Sequence, residues 1–168
     1  MGIVSMTSAG VDSARSSDKP VALFVSSSGG VLLELLAIEP YLHDFSIVWA
    51  VVRASDTESV LGGRDVHWIP DLSLQRPHVM IRSMIDALSM LAKIRPALIV
   101  SAGSGPAFPF FAAARLRKVP SFWLSTLNIH DREGLTARLC SRFASRMFVQ
   151  QSSLLASTSR GTFIGELY

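Results

Sequence analysis

The sequence predicts an α/β fold, a Rossmann-like doubly wound parallel sheet, on three observations. From Val21 onward, apolar runs of strand length alternate with longer segments of helical periodicity. The first, Val21–Val25, is apolar throughout, as a buried strand is. Two of the runs lead straight into Ser/Gly loops that open a helix, which is the turn of a βαβ unit.

Taken in order, residues 1–20 are rich in Ser, lack the apolar centre of a signal peptide and are expected to form a mobile tail. Val21–Val25 is a strand stopped by Ser26-Ser-Ser-Gly-Gly30. Val31–Leu42 reads as a helix that Pro40 bends or ends, because proline lacks the amide hydrogen and clashes with the preceding turn. Ser46–Val52 and Val66–Ile69 are the next strands. Pro77 opens a long amphipathic helix in which Val79, Ile81, Met84, Ile85, Leu88, Leu91 and Ala92 share one broad stripe. Pro96 ends it. Ala97–Val100 is a strand entering Ala102-Gly-Ser-Gly-Pro106, and Phe108–Leu116 is a helix with Pro109 in its first turn, where proline is tolerated. Ser121–Leu124, Leu135–Ser145 and Met147–Val149 follow as strand, helix and strand. Residues 21–168 thus make one domain.

Apolar residues are 49% of the 168 and charged ones 17%, below the roughly 25% of an ordinary soluble domain. That excludes a disordered chain and allows a sizeable core. Residues 1–104 carry 8 basic and 10 acidic side chains, whereas residues 105–168 carry 8 and 3. The second part therefore favours an anionic partner: phosphate, nucleic acid or a membrane surface. A single cysteine, Cys140, excludes an internal disulfide and a multi-cysteine zinc site, and fits a reducing cytoplasm. No metal site and no cofactor is expected. No apolar run approaches the roughly 18 residues of a spanning helix.

In parallel sheets ligands sit beyond the carboxyl ends of the strands, here at loops 26–30, 101–106 and 125–134. A strand, a Ser/Gly loop and a helix start present backbone N–H groups and a positive helix end to phosphate. An ordinary tight βα turn has the same sequence, and neither a Walker loop nor G-x-G-x-x-G is present. Arg53 ends the second strand, where an NADP 2′-phosphate is read in dinucleotide folds.

Five segments together resemble a known family: Ser27-Ser-Gly-Gly30 with Leu33-Glu-Leu-Leu36; Arg95-Pro-Ala-Leu-Ile-Val-Ser-Ala-Gly-Ser-Gly-Pro-Ala-Phe-Pro-Phe110; Gly134-Leu-Thr-Ala-Arg-Leu-Cys140; Phe148-Val-Gln150; and Gly165-Glu-Leu-Tyr168. They resemble the acceptor-side subunit of split GT-B glycosyltransferases. That family includes PssD-like proteins of bacterial exopolysaccharide and capsule synthesis and the membrane subunit of the eukaryotic dolichol-diphosphate N-acetylglucosaminyltransferase. A more distant likeness is to the amino-terminal half of MurG.

The resemblance implies half of a two-chain enzyme, peripheral at the inner face of the cell membrane. This half would hold a polyprenyl-diphosphate-sugar acceptor while a donor-binding glycosyltransferase subunit supplies the UDP-sugar. Ser27, Ser28, Gly29, Gly30, Gly103, Ser104 and Gly105 would then cradle the acceptor diphosphate. Glu34 matches a family glutamate, or is a carboxylate placed at a helix start by the dipole. Where the family has His, Glu and Trp, this chain has Val31, Ser125 and Gln151. Valine accepts no proton, so the general base is open. His130 and Asp131, in the loop after the fifth strand, are candidates; exposed loop polarity is the alternative.

Phe108 and Phe111 beside Arg115 and Arg117, and Arg138, Arg142 and Arg146 at four-residue spacing, are candidates for a membrane or anion surface. Core phenylalanines and a solvated arginine face are the alternative. No nucleic-acid-binding motif accompanies the arginines, and nucleic acid is not expected as a partner. Three functions remain open: an enzyme subunit, a non-catalytic module that recruits a partner glycosyltransferase, and an NADP-binding domain resting on Arg53.

Overall fold

Parallel strands cannot be joined by tight turns, so every connection in such a sheet crosses over one of its faces. The computed structural model describes residues 19–72, 77–125, 135–150 and 161–165. The expected tail therefore falls almost wholly outside the described residues. The elements are β1 (Val21–Ser26), α1 (Gly30–Ile38), a 3₁₀ turn (Glu39–Leu42), β2 (Ser46–Val52), α2 (Ser55–Val60), β3 (Val66–Ile69) and α3 (Pro77–Ile94). They continue with β4 (Leu98–Ser101), α4 (Ala107–Arg117), β5 (Ser121–Ser125), α5 (Leu135–Cys140), β6 (Arg146–Val149) and β7 (Gly161–Phe163).

The sheet has seven strands in the order β3-β2-β1-β4-β5-β6-β7, and every neighbouring pair is parallel. This is the doubly wound arrangement that the sequence predicts. The order reverses between β1 and β4, which pair through Ala22↔Leu98, Leu23↔Ile99 and Phe24↔Val100. The sequence reading omits α2, which is one short polar turn of helix, and β7, an edge strand of three residues.

Period-two alternation sends strand side chains into two cores. Leu23, Val25, Ala50, Ile99, Trp123 and Met147 meet α3, α4 and α5, whereas Ala22, Phe24, Trp49, Val51 and Leu124 meet Leu32 and Leu35 of α1. Edge-to-face aromatic pairs mark both cores: Phe111 with Trp123 at 5.9 Å on one side and Phe24 with Trp49 at 4.9 Å on the other. Pro40 sits in the first turn of the 3₁₀ segment and ends the α-helical ladder of α1 at Ile38.

Three expectations are corrected by this packing. Along α4, every residue from Pro109 to Ala114 is buried, because the helix lies on the sheet with contacts to both α3 and α5. Phe111 is therefore a core residue. Phe108 is partly buried and meets Phe143 edge-to-face at 5.8 Å. Neither phenylalanine forms an exposed surface. In α3 the buried side is Ser83, Ala87 and Leu91, small enough at two positions for close approach to α4, while Ile81 and Ile85 are 66% and 62% exposed. Finally, α5 ends at Cys140, where a turn brings Phe143 and Ala144 inward through Phe143 and Ala144 N–H bonds to the Cys140 carbonyl. Arg138, Arg142 and Arg146 are exposed on a helix, a turn and a strand, not along one helix face.

Charge follows the layers. From Pro77 to Arg146 the described residues carry nine Lys or Arg, all exposed, and one acid, Asp86. The ion pairs of the described residues all lie on the other part of the fold, between Glu39 and His67.

Burial in the α3–α5 core pushes the Cys140 thiol up to about 12, because no cation offsets the desolvated thiolate. At pH 8 the native protein is expected to be inert to a thiol-disulfide reagent and to release its one equivalent only on unfolding. Prompt labelling of the native protein, followed spectrophotometrically, would contradict this packing.

Candidate functional site

The reversal of strand order leaves a crevice above the carboxyl ends of β1 and β4, and both Ser/Gly loops border it. In the first loop Gly29 adopts φ +79° and its carbonyl accepts from the Leu32 and Leu33 amides, starting α1. The amides of Gly30 and Val31, at the first positions of α1, have no acceptor within the helix. The Gly29 amide donates to Asp56 Oδ2 at 3.0 Å.

In the second loop Gly103 has φ +140° and Ser104 φ +87°. Ser101 Oγ donates to the Gly103 carbonyl at 3.0 Å, which pins the chain as it leaves β4. A Cβ on Gly105 would lie 2.2 Å from the Leu72 carbonyl oxygen, so only glycine lets these backbones approach. The two loops are neighbours: a Cβ added to Gly103 would lie 3.4 Å from Val31 Cγ2, at the start of α1. Val31 thus lies between the loops as an apolar spacer.

Beneath the crevice lies a row of polar side chains. Ser26, Ser101 and Ser125 end β1, β4 and β5, and Gln150 directly follows β6; all are at most 1% exposed. Glu34, one turn into α1, is 2% exposed and accepts from Gln150 Nε2 at 3.0 Å, and the same amide nitrogen donates to the Ser125 carbonyl at 3.1 Å. Glu34 lies beyond the first turn of its helix, so it is a buried, hydrogen-bonded carboxylate rather than a helix-start charge. Ser104 Oγ, Ser125 Oγ and Gln150 Oε1 are buried without a partner among the described residues. The row is visible in the sequence as apolar runs that each end in Ser or Gln. Ser125 and Gln150 gain their significance only when β5 and β6 align them beside Glu34.

His130 and Asp131 lie outside the described residues. Arg53 bonds Glu58 through Nε and lies over the Trp68 ring at 5.5 Å, so its cation is already engaged. His43 and His67 face their neighbours Asp44 and Asp65, and no cluster of metal-ligating side chains occurs among the described residues. No described helix is long and apolar enough to cross a membrane. On the α1 side of the sheet, Tyr41, Leu42, Leu98, Phe122, Leu124 and Phe148 line an apolar groove of about 450 Å³.

The architecture matches solved structures. MurG of Acinetobacter baumannii superposes with a TM-score of 0.65 at 17% identity, over 78% of this chain and 41% of MurG. The fold is that of a GT-B glycosyltransferase domain. The UDP-N-acetylglucosamine 2-epimerase of Rickettsia bellii shares it, with a TM-score of 0.66 at 12% identity over 89% of this chain and 45% of the epimerase.

Curated homologues are MurG-type glycosyltransferases, named UDP-N-acetylglucosamine–N-acetylmuramyl-(pentapeptide) pyrophosphoryl-undecaprenol N-acetylglucosamine transferases. Those of Saccharophagus degradans and Alkalilimnicola ehrlichii are 25% and 29% identical, over 88% and 76% of this chain. The alignments take in 41% and 39% of those relatives, so the chain spans about two fifths of their length. No protein-family model matches the chain.

The close approach in the GT-B domain's second loop gives a direct check. Gly105→Ala should destabilise the fold by about 1–3 kcal/mol, the usual cost of forcing atoms into filled space. Gly29→Ala, with open space around its Cβ, carries only the positive-φ penalty of about 1–2 kcal/mol. Urea unfolding of both variants measures the order, and G105A no less stable than wild type would contradict the Leu72 contact.

Proposed function

We propose that this chain is the acceptor-side half of a two-chain glycosyltransferase, working in polysaccharide or lipid-linked oligosaccharide synthesis. It would bind a polyprenyl-diphosphate-linked sugar at the membrane while a partner chain binds the nucleotide sugar. The observation that carries this reading is the pair of neighbouring glycine loops at the strand-order reversal of a domain with the GT-B fold. One feature supports a separate donor half. The apolar groove beside β4–β6 is a surface suited to the partner chain.

In this reading the amides and hydroxyls of Ser27, Ser28, Gly29, Gly30, Gly103, Ser104 and Gly105 together hold the acceptor's diphosphate and the sugar attached to it. The acceptor hydroxyl attacks the anomeric carbon, the bond to the nucleoside diphosphate breaks with inversion, and a base takes the hydroxyl proton. Glu34, buried and bound to Gln150, positions the loop-bound ligand. His130 and Asp131 remain proposed proton carriers. One observation favours a second reading, a non-catalytic acceptor module: Val31, which packs on Gly103, stands where the resembling family has histidine.

Reconstitution separates the two readings. The chain, its donor-side partner, a radiolabelled UDP-sugar and a polyprenyl-diphosphate sugar in vesicles should together give transfer, and either chain alone should not. Gly30→Asp puts a carboxylate into the cradle at a helix position where acids are tolerated. It should leave the complex intact and lower turnover at least about tenfold, the scale of one mispaired charge. Unchanged turnover in G30D, or full turnover by the partner alone, would contradict acceptor binding by this chain.

The proposed membrane surface is made by exposed cations: Arg115 and Arg117 of α4, Arg138 of α5, Arg142 of the turn after it and Arg146 of β6. At about 1 kcal/mol per cation near an anionic surface, Arg138→Glu with Arg142→Glu should weaken sedimentation with anionic phospholipid vesicles at least about tenfold. Salt-insensitive binding, unchanged in the double variant, would remove this surface from the proposal.

A further inference from the structure

The two glycine loops look alike in sequence but differ in electrostatics. The Gly29 amide of the first loop is held by Asp56 Oδ2 at 3.0 Å, a contact between residues 27 apart that ties the end of β1 to α2. A carboxylate on a backbone amide makes the same charge-assisted bond that a phosphate oxygen would make. The first loop therefore already holds an anion, and a phosphate entering it meets a carboxylate of like charge. In the second loop no carboxylate bonds the backbone among the described residues. There the Gly103 amide faces Ser101 Oγ at 3.4 Å, and Ser104 Oγ is buried without a partner among the described residues.

We propose that Asp56 is a specificity-determining residue that divides the ligand between the loops. The second loop takes the phosphate charge. The first loop, whose Gly29 amide is held by Asp56 Oδ2, takes an uncharged, hydroxyl-bearing portion, the saccharide. Carboxylates accept from hydroxyls and repel phosphates, so one side chain performs both selections. The inference rests on the reading of the loops as a diphosphate cradle and adds a direction to the bound ligand.

The test uses inorganic pyrophosphate as probe, titrated calorimetrically into the whole chain at low salt. Asp56→Asn keeps an acceptor for the Gly29 amide and removes the charge, so loop order and electrostatics are separated. D56N should bind pyrophosphate about tenfold more tightly than wild type, a change of ~1.4 kcal/mol, and the gain should shrink as salt is raised. Ser104→Asp should weaken binding at least about tenfold in both backgrounds, with thermal melts verifying that both variants fold. Equal affinity in wild type and D56N overturns the role of Asp56 and leaves the cradle standing. Undiminished binding in S104D, or no binding in either wild type or D56N, overturns both.

Discussion

The pairing of β1 with β4 is the constraint on which the rest of the molecule depends. The chain leaves β3 at one edge, crosses over the sheet through α3 and re-enters beside β1 through Ala22↔Leu98, Leu23↔Ile99 and Phe24↔Val100. That return puts α1 on one face and α3, α4 and α5 on the other. It also parts the connections above β1 and β4, which opens the crevice, and brings together two loops that lie some 75 residues apart in sequence.

Below the crevice the balance between packing and polarity decides what each residue does. Gly105 has no side chain because the Leu72 backbone occupies its place. Val31 fills the gap between the loops with an apolar contact. Among the polar residues at the strand ends, Gln150 donates its side-chain amide to the buried Glu34, because a buried polar group without a hydrogen bond is costly. Asp56, on α2, ties the first loop down through the Gly29 amide.

Much of this was legible from residue patterns. The apolar runs at 21–25, 46–52, 66–69, 97–100, 121–124 and 147–149 all became strands within a residue or two. Pro40 and Pro96 ended helices because proline cannot complete the hydrogen-bond ladder. Both Ser/Gly loops follow the two strands, β1 and β4, between which the strand order reverses. Exposure was less legible. Phe111 and Ile81 are both apolar helical residues, yet one is in the core and the other in solvent, because α4 has neighbours on both sides and α3 turns its Ala87–Leu91 side to the sheet. The arginines at 138, 142 and 146 have helical spacing, but the burial of Phe143 and Ala144 ends the helix between them.

By itself the sequence determined the fold class, the strand and helix order and the two candidate loops, since these depend on local periodicity and on glycine and proline stereochemistry. Only the tertiary structure decided which residues share a site. Glu34 and Gln150 are 116 positions apart and bonded, and Gly29 and Asp56 are 27 apart and bonded. Such contacts depend on strand order and helix packing, which bring distant segments together through long-range burial that no local pattern encodes.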